Sequence, residues 1–172
     1  VNPAPLHLDL ASALPGDVVL AHTRGLFGRL IRFGTRSAWS HAAIIEMVGA
    51  TPERTWVIQA EAKGVTRATL DQVAPGGYYA IVAAPNGLDR QRCLEWARSR
   101  VGEEYGFLTI LSIAVTLLSP RFLRVDFRRQ GTLICSALVA LSLHAGGWLA
   151  RVGDFYQVSP GSLEQLLVRP AR

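Results

Sequence analysis

A chain of 172 residues with 49% of them apolar has the length for one domain and the composition for a complete core, which excludes a predominantly disordered protein. Its two cysteines, Cys93 and Cys135, make no disulfide framework and have no metal-ligand spacing. The formal charge of +5 is carried almost wholly by arginine, with Lys63 the only lysine, and no stacking aromatics are interleaved with the basic residues, so nucleic acid is not an expected partner.

In chain order, residues 1–13 read as an N-terminal tail, His7 included, and 14–172 as a single domain. Pro15-Gly16-Asp17 is a turn signal in which Asp17 anchors the turn, and Val18 to Ala21 follows as a buried strand. Apolar positions 26, 27, 30, 31 and 33 against Arg29 and Arg32 predict a helix ended by Gly34. His41 to Val48 and Trp56 to Ala60 read as two strands joined by a polar turn with Gly and Pro, hence an antiparallel hairpin. Tyr78 to Ala83 is a further strand, and Asp89 is a plausible N-cap for a helix running to Val101 and ended by Gly102.

The run 107–118 is the most apolar of the chain but shorter than the roughly 20 residues a membrane span needs. It reads as a buried helix or as a helix facing a membrane surface or an acyl chain, and an arginine-rich connector over 120–129 follows it. A short strand-like approach then turns into a helix starting at Cys135 and ending near Ala145-Gly146-Gly147. Ser159-Pro160-Gly161-Ser162 caps a last short helix over 163–167. With no internal repeat and no linker, the class is α+β. Arginines 24, 29, 32 and 36, and again 121, 124, 128 and 129, suit an anionic ligand or a membrane surface. No basic n-region followed by a long apolar h-region occurs, and the compartment (cytoplasm or cell envelope) and the oligomeric state stay unassigned.

Cys135 is the residue with most chemical content. A thiol in the first turn of a helix meets the positive end of the macrodipole and free backbone N–H groups, and both favour the thiolate. The plainer reading is a small buried hydrophobe, which is the role assigned to Cys93 in its helical pattern. His41, opening an apolar strand far upstream, supplies the second half of a thiol nucleophile with its base; a strand-end histidine satisfied by a carbonyl is the rival. Ser136 suits a capping or helix-surface role, and His22 and His144 lack a partner pattern.

The order of these pieces resembles a family. Pro-Gly-Asp with an apolar strand at 15–20, a short helix and then Ser40-His41 opening a strand is similar to the papain-like NlpC superfamily. Histidine first and cysteine later, with Cys-Ser-Ala-Leu-Val at 135–139 starting a helix, resembles its circularly permuted branch, the YiiX-like proteins related to lecithin:retinol acyltransferase. Ala60-Glu61-Ala62 with Gly64-Val65, Tyr105 ahead of the cysteine, and Pro160-Gly161-Ser162-Leu163 fit as well, so the likeness spans 14–167.

The resemblance implies a central antiparallel sheet packed against the nucleophile-bearing helix. It also implies Cys135 attacking an acyl carbonyl with His41 as base, on amide, ester or thioester groups of peptides, peptidoglycan or lipids, without metal or organic cofactor. The expected activity is that of a cysteine hydrolase (amidase or peptidase) or thiol acyltransferase. A non-catalytic binding module or a membrane-associated assembly protein on the same fold are the rivals.

Glu61 is the expected orienting residue, because a hairpin turning near residue 51 sets position 61 across from position 41. Gln59 and Glu46 are the fallbacks, Glu46 being out of phase with His41 along its own strand. The backbone N–H of Cys135, with Tyr105 as a side-chain candidate, is expected to hold the oxyanion. Two departures from the pattern stand out: the long apolar and arginine-rich stretch 107–129, and Gly106 where relatives often carry an acidic residue.

Overall fold

A computed structural model describes residues 7–23, 29, 32–33, 37–61, 63–104, 135–148 and 158–168. Six strands, β1 (His7–Leu8), β2 (Val18–Ala21), β3 (His41–Met47), β4 (Trp56–Glu61), β5 (Gly64–Thr69) and β6 (Tyr79–Val82), form one sheet in the order β1-β6-β2-β3-β4-β5. Every pairing is antiparallel. The helices whose bounds are described are α1 (Leu70–Val73), α2 (Arg90–Ser99), α3 (Cys135–Ala145) and α4 (Pro160–Val168).

The central strands are covered on both faces, so they are continuous apolar runs instead of alternating ones. All four residues of β2 are 0% exposed. Val18, Leu20, Ala42, Ile44, Ile58 and Ala60 face a core shared with α2, α3 and α4. Val19, Ala21, Ala43, Ile45 and Val57 face the other way, onto Leu70 and Val73 of α1.

Asp17 clasps one end of this sheet to the helix that follows it. Its carboxylate accepts the Leu14 N–H at 2.8 Å and the Ala84 N–H at 2.9 Å, and pairs with the Arg90 guanidinium at 2.8 Å. The same arginine donates to the Pro15 carbonyl at 2.6 Å, so the turn before β2, the exit of β6 and the start of α2 share one ion pair. Asp89 caps α2 by accepting the Arg92 N–H at 3.0 Å.

The α+β class and the β3–β4 hairpin agree with the sequence reading. Three features differ. Residues 7–13 are not a loose tail: His7 and Leu8 pair with Val82 and Ile81, and Ala13 is buried. β5 was not expected, since Ala62-Lys63 carries no turn chemistry; Gly64, at φ +123°, makes the hairpin feasible where its Cα backs onto the Glu103 carbonyl. The last helix begins at Pro160, a residue suited to the first helical position, and runs to Val168. Of the helix expected before Gly34, only Arg29, Arg32 and Phe33 are described, all helical, and the 107–129 stretch lies outside the described residues.

Candidate active site

His41 is the first residue of β3, and the approach to it is fixed by Ser40. The Ser40 hydroxyl takes the Thr23 N–H at 2.8 Å and bonds the Thr23 hydroxyl at 2.8 Å, while its backbone N–H donates to the Ala21 carbonyl at 3.0 Å. Arg32 reinforces the corner by donating to the Thr23 carbonyl at 2.8 Å, which gives one member of the first arginine cluster an internal role.

The imidazole of His41 is bracketed. Its Nε2 lies 2.7 Å from Oε1 of Gln59, a residue 8% exposed on β4. An amide oxygen only accepts, so Nε2 carries the proton and Nδ1 is the nitrogen left for the thiol. The Cys135 sulfur is within hydrogen-bonding reach of that imidazole and of the backbone N–H groups of Ala42 and Ser136. The β3–β4 ladder runs only as far as Ala43↔Gln59, so the Ala42 amide lies past its last rung, within reach of the sulfur.

α3 carries Cys135 on its first turn, and tertiary packing holds it there. Ala137, Leu138, Val139, Ala140 and Leu143 are fully buried, seating the helix over β3 and β4. The Ser136 hydroxyl donates to the Val158 carbonyl, tying the helix start to the segment entering α4. Ser136 is thus a buried tether, not a surface cap.

The electrostatics favour an ion pair. Burial pushes the Cys135 thiol up, but the adjacent His41 charge, its hydrogen bond, and the Ala42 and Ser136 amides outweigh it and bring the pKa below the ordinary value. Burial likewise pulls the His41 imidazole down, yet the Cys135 charge and hydrogen bond, the Gln59 bond and the Glu61 charge leave it above its ordinary value. Cys93 is the contrast. It is 0% exposed in the core between α2 and the end of α3, where burial raises its thiol to about 12.

The other residues singled out by sequence fall as follows. Glu61 is exposed at the end of β4; it accepts from Thr66 Oγ1 at 3.2 Å and reaches His41 by charge alone. The hydrogen bond expected of Glu61 is made by Gln59, because Glu61 sits beyond the last rung of the β3–β4 ladder. Glu46 points to the other side of β3, bound to Arg67 at 2.6 Å and Arg98 at 2.7 Å. Tyr105 lies outside the described residues. His144 is at the far end of α3, its Nδ1 3.2 Å from the Trp148 carbonyl. Sequence reasoning missed the Ser40 corner and the Ala42 amide; the hydroxyl directly before the histidine is the one signal that pointed to the first.

A thiol at a helix start, set against a histidine at the end of an antiparallel sheet, defines a papain-like fold, here with histidine preceding cysteine in the chain. The sequence profile of the permuted papain-like amidase enzyme, YaeF/YiiX, C92 family matches residues 12–112, and the chain belongs to that family. The matched stretch holds His41, Gln59 and Glu61, while Cys135 joins the site through the geometry above. In shape the chain is similar to the crystal structure of metalloprotein YiiX from Escherichia coli O157:H7, with 21% identity, a TM-score of 0.54, and coverage of 79% of this chain and 68% of that one. At that identity the likeness speaks for the fold. No curated protein matches the chain.

Proposed function

We propose that the chain is a cysteine amidase in which Cys135 is the nucleophile, His41 the general acid and base, and Gln59 the residue that orients His41. The observation that carries this reading is the His41 ring held between Gln59 Oε1, at 2.7 Å, and the Cys135 thiol. Glu61, near enough to act on His41 by charge, supports the protonated ring without touching it.

The steps follow from these positions. The Cys135 thiolate attacks the carbonyl carbon; a C–S bond forms and the π pair moves to oxygen. The oxyanion develops next to the start of α3, where the Cys135 N–H and the helix dipole stabilise it. His41 gives its proton to the leaving nitrogen, the C–N bond breaks and the amine departs, leaving a thioester on Cys135. Water, deprotonated by His41, attacks the thioester; the acid is released and the sulfur leaves as thiolate. Throughout, Gln59 keeps the Nε2 proton engaged and so keeps Nδ1 on the sulfur side.

Rapid quenching of the protein with peptide p-nitroanilides, followed by mass spectrometry, tests this directly. An acyl adduct on the Cys135 peptide is expected, with amine release lost in both Cys135→Ala and His41→Ala. Amine release that persists in Cys135→Ala contradicts the reading.

A further inference from the structure

His41 and Ala42 sit at a strand end that is held from one side only. β3 pairs with β2 down to the Ala21↔His41 rung, whereas its ladder with β4 stops at Ala43↔Gln59. The gap has a use, because it leaves the Ala42 N–H for the Cys135 sulfur. A strand end paired on one side frays easily, yet a reacting group about 1 Å out of place can cost roughly 100-fold in rate. Something else must hold the entry of β3.

Beyond the last rung, the Ser40 hydroxyl does so. It accepts the Thr23 N–H at 2.8 Å, and Nη1 of Arg32 stands 3.4 Å away as its second donor. With both acceptor positions taken, its own proton goes to Thr23 Oγ1 at 2.8 Å, closer than the Ala21 carbonyl at 3.4 Å. Ser40 is 2% exposed, so bulk water does not compete for these bonds. The same Nη1 donates to the Thr23 carbonyl at 2.8 Å. One guanidinium therefore ties the residues leaving β2 to the residue entering β3, and it stays charged at any working pH.

We propose that Arg32 is a positioning residue: acting through Ser40, it holds the entry of β3 so that the His41 ring and the Ala42 N–H stay on the Cys135 sulfur. The inference rests on the amidase reading. Its test compares Arg32→Met, Arg32→Lys, Ser40→Ala and the Arg32→Met/Ser40→Ala double variant with the wild type. Each is measured for kcat and KM on a peptide p-nitroanilide, for the pH dependence of Cys135 alkylation with Cys93 replaced, and for its urea midpoint.

Arg32→Met should lower kcat roughly tenfold with KM nearly unchanged. Its labelling pKa should rise toward the ordinary thiol value of about 8.5. Ser40→Ala should do the same although the Arg32 charge is still present, and the double variant should lose no more than either single one. Arg32→Lys, which keeps a donor, should recover most of the rate. A lower urea midpoint with kcat and labelling pKa unchanged makes the clamp structural only and overturns the proposal. An additive double variant also overturns it, since Arg32 would then act independently of Ser40. Both results leave the amidase reading intact, whereas a wild-type Cys135 with an ordinary labelling pKa overturns the two together.

Discussion

Gln59 decides which nitrogen of His41 serves the thiol. Because its oxygen accepts from Nε2, the ring is held with Nδ1 toward sulfur, and loss of that bond frees the imidazole to rotate. A hydrogen bond to a charged partner contributes about 1.5–3 kcal/mol, so Gln59→Ala should lower kcat/KM by roughly 10–100-fold on amide substrates. Glu61→Gln should do much less to kcat/KM at its optimum. Its signature is in the pH profile: the Glu61 charge raises the His41 pKa, so removing it moves the alkaline limb, where His41 loses its proton, to lower pH. An alkaline limb that stays in place in Glu61→Gln assigns no electrostatic role to that carboxylate. That Cys135 and His41 would meet was readable in the sequence, because one opens a helix and the other a strand. The choice between Gln59 and Glu61 was not, since the two share a strand face and only the rung at which the ladder ends tells them apart.

The elements are fastened by a few polar residues at their ends. Asp17 is 1% exposed and serves two N–H groups and Arg90, so Asp17→Ala strands three donors in and around the core. The expected loss is about 3 kcal/mol, seen as a lower urea midpoint at unchanged slope. Gly64 is the second such point. An added Cβ there runs into the Glu103 backbone, and the φ of +123° disfavours any side chain. Gly64→Ala should therefore cost more than about 1 kcal/mol in the same assay. The turn motif around Asp17 was legible because Pro-Gly-Asp is turn chemistry. The β4–β5 hairpin was not: the sequence between Glu61 and Gly64 carries no turn chemistry, and tertiary bonds from Val65 to Glu103 at 2.9 Å and from Gly102 to Val65 at 2.9 Å hold β5 in place.

At the scale of the molecule, one antiparallel sheet is covered on one face by α2, α3 and α4 and on the other by α1. α3 shows no amphipathic stripe because nearly all of it is buried, which is why its sequence reads as a core helix as easily as a catalytic one. Glu46 connects this helical layer to the sheet through Arg98 on α2 and Arg67 on β5. Partial burial opposes the Glu46 charge, but hydrogen bonds from Arg67 and Arg98 and their charges outweigh it and hold the carboxyl below its usual range. A depressed carboxyl contributes stability above its unfolded pKa, and that contribution is lost as pH falls through the folded value. Glu46→Gln should thus lose stability at neutral pH and show a shallower fall in Tm on acidification than the wild type. Parallel Tm–pH curves for the two would contradict this.

The central claim is that Cys135 and His41 form a thiolate–imidazolium pair. Its most direct measurement is the pH dependence of Cys135 alkylation by iodoacetamide, in the wild type and in His41→Ala, with Cys93 replaced by alanine in both. A labelling pKa well below the ordinary thiol value of about 8.5, rising when His41 is removed, is the expected result. A pKa at or above that value, indifferent to His41, would contradict the pair and the amidase chemistry built on it.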